Sequence, residues 1–151
     1  MFRRATSSVA TAVLLVLAPL AVEAEKPVIV KVTLSTEPDR LGWKSKDVTV
    51  SASQDPSLWV SIRVVSSPPG GHLYVAFYEP ARYLYQVGDV NVSMALRRTA
   101  DIRYRLQVAG EPLTRLHGTW TVVVSTSPIP SGPFNAPKDG DSRVASFKVV
   151  P

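Results

Sequence analysis

One stretch constrains this chain more than any other: Gly118-Thr-Trp-Thr-Val-Val-Val-Ser125. Trp120, Val122 and Val124 alternate with Thr119, Thr121, Val123 and Ser125. A period of two in β-branched and aromatic residues specifies a strand with one buried face. Gly118 in front supplies a residue that tolerates positive φ at the entrance. The Trp120 face is expected to point into a core and the Thr119 face away from it. Trp120 is then the largest core side chain that the sequence assigns.

The rest of the chain repeats this pattern in short runs. Val28, Val30, Val32 and Leu34 oppose Ile29, Lys31 and Thr33, and Val48, Val50 and Ala52 form a second face. Leu58, Val60, Ile62 and Val64 face inward, with Trp59, Ser61 and Arg63 outward. Leu73, Val75 and Phe77 oppose His72, Tyr74, Ala76 and Tyr78, with Glu79-Pro-Ala-Arg82 as the turn that follows. Ile102, Tyr104, Leu106 and Val108 oppose Arg103, Arg105 and Gln107, and Phe147 and Val149 end the series. Short strands with Pro and Gly punctuation between them predict two packed sheets or a barrel. Residues 91–109 carry a rival reading, a short helix with Asn91 as N-cap and Gly110 after its end. Two strands, 91–96 and 102–108, are the preferred reading, because the 102–108 alternation is clean and its neighbours are strands.

The first residues read as a secretory signal peptide. Arg3 and Arg4 precede an apolar run from Val9 to Leu20, and Val22-Glu-Ala24 places small residues at a cleavage site. The run is shorter than the roughly 20 residues of a membrane span. The expected organisation is a leader over 1–24 and one domain over 25–151, with no stable membrane insertion after cleavage. The chain has no cysteine, so lipidation at the cleavage site is excluded and no disulfide staples the fold. Export to a bacterial-type periplasm or to the medium is the expected location. The formal net charge of +5 falls by one when Arg3, Arg4 and Glu23 leave with the leader. That mild basicity lacks the dense stripe and stacking aromatics of a nucleic-acid binder, so no nucleic acid is expected as partner.

The residues argue against catalysis. The two histidines, His72 and His117, sit on different predicted elements. A metal or ligand site would need both, with carboxylates or Met94. Lys138-Asp-Gly-Asp141 offers two carboxylates where calcium wants six to eight oxygens, and Asp-Gly makes a good turn. Serines are plentiful, but no Gly-x-Ser-x-Gly elbow presents one. No catalytic residue, cofactor or metal is expected. A small periplasmic metal- or ligand-handling protein using His72 and His117 is the alternative, and an unrecognised hydrolase the third reading.

Three groups are candidates for contact with a partner. The tyrosines Tyr74, Tyr78, Tyr83 and Tyr85 are one. The arginines Arg97, Arg98, Arg103, Arg105 and Arg115 are another, although a strand face rich in Arg also blocks edge-to-edge aggregation. The third is the long segment 127–142, stiffened by prolines at 128, 130, 133 and 137. Its Phe134 has too few apolar neighbours in sequence to form a core. It either docks back on the domain or anchors a partner. The expected binding residues are Phe134, Asn135, Tyr83, Tyr85, Arg97 and Arg98, meeting an unknown protein or polysaccharide. The turn at 66–71 lies among the surface loops of the same reading.

Leu113-x-x-Leu116-x-Gly118-x-Trp120-x-Val122-x-Val124 resembles the penultimate-strand signature of immunoglobulin-like and fibronectin-III-like domains. In those, an aromatic follows a Gly-containing corner and a final strand comes after a loop. Ala145-Ser-Phe-Lys-Val-Val150 fits that final strand, and Trp120 stands where many such domains carry Tyr. The resemblance implies an all-β fold, an antiparallel immunoglobulin-like β-sandwich of about 7–9 strands. It implies no activity, because folds of this kind host many functions. A non-enzymatic, exported binding domain is the function expected.

Overall fold

The computed structural model describes residues 26–37, 47–65, 71–92, 99–135, 137–138 and 140–151. The expected leader over 1–24, Arg97, Arg98, Met94, most of the 66–71 turn and most of the predicted 91–96 strand lie outside the described residues. Among the described residues, eight strands run in chain order: β1 (Val28–Ser35), β2 (Val48–Ser51), β3 (Ser57–Val65), β4 (His72–Tyr78), β5 (Leu84–Asn91), β6 (Thr99–Gln107), β7 (Gly118–Ser125) and β8 (Ser142–Val150). One 3-10 turn, Pro112–Arg115, joins β6 to β7. Among the described residues there is no α-helix, and the 99–107 segment is strand, as its alternation predicts.

The strands form two sheets, ordered β1-β3-β6 and β2-β8-β7-β4-β5. The pairs are antiparallel except β2 with β8, which run parallel. Both sheets turn one face inward. Leu58, Val60, Ile62 and Val64 of β3 share a single buried cluster with Leu73, Val75 and Phe77 of β4, Trp120, Val122 and Val124 of β7, and Phe147 and Val149 of β8. These are the faces that period two assigned. Ile102 and Tyr104 also point inward but stay half-buried, because β6 is the last strand of its sheet.

Trp120 lies at the centre of this core with no exposed surface. Its indole N–H donates to the Leu116 carbonyl at 2.8 Å, so the one polar atom of the side chain is satisfied. Phe147 stacks on it at 5.9 Å and Tyr85 meets it edge-on at 5.1 Å. The bond to Leu116 ties the start of β7 back to the 3-10 turn, and Leu113 buries its side chain beside it. Gly118 has φ +130°, the conformation expected at the strand entrance.

The second glycine that the packing requires is Gly88, on β5. It pairs with Val75 and faces inward, where the Tyr104 ring of β6 crosses it. A Cβ built there would lie 2.3 Å from Tyr104 Cε2. The absent side chain lets the two edge strands, β5 and β6, close on each other across the sandwich. Gln86 Nε2 then donates to Tyr104 Oη at 3.0 Å, and Phe77 packs on the same ring at 5.9 Å.

The outer face of the five-stranded sheet departs from expectation. Ala76, Tyr78 and Val123, assigned to a solvent face by alternation, are fully buried. They form a small second core with Leu84, Ile129 and Phe134. The segment after β7 turns back over the sheet and covers them.

Candidate functional site

That segment, Thr126–Asn135, acts as a strap. Its start is held by reciprocal bonds: the Thr126 amide donates to the Asp141 carbonyl at 3.0 Å, and the Asp141 amide donates to Thr126 Oγ1 at 3.0 Å. The Asp141 carboxylate also accepts from the Ile29 amide at 2.6 Å and from the Arg143 guanidinium. One acid therefore fastens β1, β8 and the strap. Lys26 Nζ donates to Ser127 Oγ at 3.0 Å.

The far end of the strap meets the β4–β5 turn. Tyr83 and Pro133 form a single β-bridge, and the Phe134 amide donates to the Arg82 carbonyl at 2.8 Å. The Phe134 ring packs edge-on against Tyr78 at 5.2 Å, and the Arg82 guanidinium lies over it at 5.5 Å. Within the turn the Arg82 amide donates to the Glu79 carbonyl at 2.8 Å and the Glu79 amide to the Tyr83 carbonyl at 3.0 Å. Arg82 takes φ +69°, a left-handed conformation uncommon for a residue with a side chain. The turn hydrogen bonds and the Phe134 contacts hold it there. Strained backbone persists only where its surroundings over-determine it, and such positions cluster at functional sites.

The result is a compact tip. Tyr83 keeps 59% of its surface exposed, Asn135 and Arg82 are exposed, and Phe134 is half-buried beneath them. Four of the six expected binding residues fall within the described tip region by sequence, but only three share it. Tyr85 lies apart from the other three. The register slips by one between Phe77 and Tyr78, so Leu84 pairs with Tyr78, Gln86 pairs with Phe77 and Tyr85 is the extra residue. Its ring turns inward onto Trp120. Burial pushes its phenol up, a Leu113 backbone hydrogen bond partly offsets this, and the nearby Glu111 adds to the rise. Arg97 and Arg98 are outside the described residues. Arg82, which the sequence reading used only as a turn residue, belongs to the tip. Its one sequence signal is the Pro-Ala-Arg turn itself.

Arg103, Arg105 and Arg115 do not join this tip. Arg103 and Arg105 lie on the outer face of β6, and Arg115 in the 3-10 turn. The Arg105 guanidinium sits over Trp59 at 5.7 Å and its Nε donates to Ser57 Oγ at 2.7 Å. Arg63 makes a two-pronged pair with Asp101 at 2.7 and 3.0 Å. That hydrogen bond holds the Asp101 carboxyl below the usual range. A depressed carboxylate adds stability above its unfolded pKa and loses it as pH falls through the folded one. Both groups are well exposed, so the contribution is small.

The histidines are separated by the sheet. His72 opens β4, beyond the Tyr74–Ser125 pair, and His117 precedes β7 at the opposite end. The β7 run between those levels is about 25 Å at the rise of a strand, so one ion cannot take both. His72 Nδ1 lies 2.9 Å from Asp89 Oδ1, with both side chains more than half exposed. Among the described residues no group of three His, Cys, Asp or Glu is placed to hold a metal. No described helix is long and apolar enough to cross a membrane. No family model matches the chain, and no curated protein matches it.

Two measurements check the strap. Phe134→Ala removes a half-buried ring with its contacts to Tyr78 and Arg82. A loss of about 1–2 kcal/mol is expected, less than full Phe burial commands, read by chemical denaturation. Tyr78 tests the same core differently. Its hydroxyl is buried with no hydrogen-bond partner among the described residues, and burial raises its pKa. A buried unpaired hydroxyl costs roughly 1–3 kcal/mol. Tyr78→Phe is therefore expected to leave stability unchanged or raise it, and a clear loss on denaturation would mean that the hydroxyl has a partner.

Proposed function

We propose that the chain is an exported immunoglobulin-like domain that works by binding rather than by catalysis, with the leader over 1–24 directing export to the periplasm or the medium. The strand order supports the fold reading. β1, β3 and β6 lie on one sheet and β8, β7, β4 and β5 on the other, the connectivity of the immunoglobulin Greek key with an added strand beside β4. The Trp120–Leu116 bond plays the part that a tyrosine hydroxyl plays at the corresponding corner of such domains.

The observation that carries the function is the tip: exposed Tyr83 beside Arg82, whose strained backbone is buttressed by the strap. Tyr and Arg dominate the energetic centres of protein interfaces, because each offers a broad rigid surface with a polar end. Loops fixed on a rigid sheet are where binding residues concentrate. The partner is a protein or a polysaccharide bearing acceptor groups for Arg82 and Asn135 and a flat apolar element for Tyr83. Affinity capture from the exporting cell should return a partner with the intact chain. The Arg82→Ala/Tyr83→Ala variant should lose it while keeping its thermal midpoint within a few degrees. Equal capture by both chains overturns the assignment of the tip.

A further inference from the structure

Each open sheet ends in edge strands whose unpaired N–H and C=O groups can pair with another chain. Among the described residues, three of the four edges are blunted. β1 has a bulge between Ile29 and Lys31. β6 carries Asp101, Arg103 and Arg105 on its outer face. β2 has four residues. β5 is different. It ends the five-stranded sheet, pairs regularly with β4 from Gln86 to Asn91, and contains no Lys, Arg or Pro. Its single charge, Asp89, sits beside His72. We propose that β5 is a self-association edge, pairing antiparallel with β5 of a second copy about a two-fold axis.

Three features favour a second copy as the occupant. The first is charge. The chain has formal net charge +5, and copies meeting at β1 or β6 would oppose Lys31 or the β6 arginines to their equals. β5 opposes no cation. With Val87 on the axis, Asp89 falls opposite Tyr85, so the carboxylates do not meet either. The second is the outer face. Val87, Ala76, Val123 and Val144 share one row across four strands. Val87 is 47% exposed at its edge, and on the two-fold it meets its own copy, an apolar cross-strand pair of the kind that stabilises sheets. The third is order. Tyr104 seated on Gly88 and bonded to Gln86 fixes the inner face of β5, so pairing costs little additional conformational entropy. This inference does not depend on the tip.

The test is sedimentation equilibrium of the full chain, purified as it accumulates in the cell, from micromolar to millimolar concentration. The wild type should form a dimer. Val87→Lys should weaken it by at least about tenfold, since a lysine on the axis opposes its own copy. Val144→Lys, at the far end of the same row, should not. Amide hydrogen exchange supplies a second readout: β5 amides should gain protection as concentration rises. A wild type that stays monomeric overturns the proposal. So does a Val87→Lys dimer as tight as wild type, or protection appearing in β1 or β6 instead.

Discussion

Trp120→Ala should lose about 3–5 kcal/mol of unfolding free energy, the range for deleting a large buried aromatic. The substitution empties the centre of the cluster shared by both sheets. It strips Phe147 and Tyr85 of their ring partner and leaves the Leu116 carbonyl without the indole donor. Neighbouring β-strands are held in register on both sides of β7, so the cavity cannot collapse easily. Trp59→Ala is the internal comparison. Trp59 lies half-buried on the outer face of β3, against the Arg105 guanidinium. Its loss should be about 1 kcal/mol, chiefly the cation–π contact and partial burial. Chemical denaturation of both variants decides the matter. Equal losses, or a larger one at Trp59, would reverse the assigned strand faces.

That comparison was available from the sequence, because alternation distinguishes two faces of a strand. Alternation does not say what covers the second face. Val123 and Tyr78 read as outward, and outward they are. They are buried because Ile129 and Phe134 pack over them. The prolines marked that segment as stiff, and Phe134 as a ring needing a neighbour, but no local pattern names Tyr78 as that neighbour. Tyr85 sits apart from the tip for a related reason. A one-residue slip flips a side chain to the other face, and the slip opposite Phe77 and Tyr78 has no signature in the residues around it. Arg82 was hidden because positive φ is read from Gly and Asn, and here tertiary contacts impose it on Arg.

Gly88→Ala should cost about 1–3 kcal/mol, the range for overpacking a fitted contact. By sequence Gly88 is an ordinary weak point in a strand, and alanine there would be expected to help. The structure reverses the sign, because the added methyl meets the Tyr104 ring head-on. Tyr104 cannot shift without giving up Phe77 and the Gln86 hydrogen bond. The pair should therefore be coupled. In a double-mutant cycle with Tyr104→Ala, the Gly88→Ala penalty should fall to near zero. A penalty that persists without the ring would place its cause in the β5 backbone instead.

The tip built from Arg82, Tyr83, Phe134 and Asn135 is the proposed partner-binding surface. A photo-crosslinking residue placed at position 83 in the producing cell tests this contact, with position 144 as the comparison. Both side chains are well exposed, at 59% and 56%; Tyr83 lies in the β4–β5 turn and Val144 on β8. Position 83 should give a discrete adduct to a molecule other than a second copy of the chain, and position 144 none. No adduct at 83, or the same adduct from both, would contradict it.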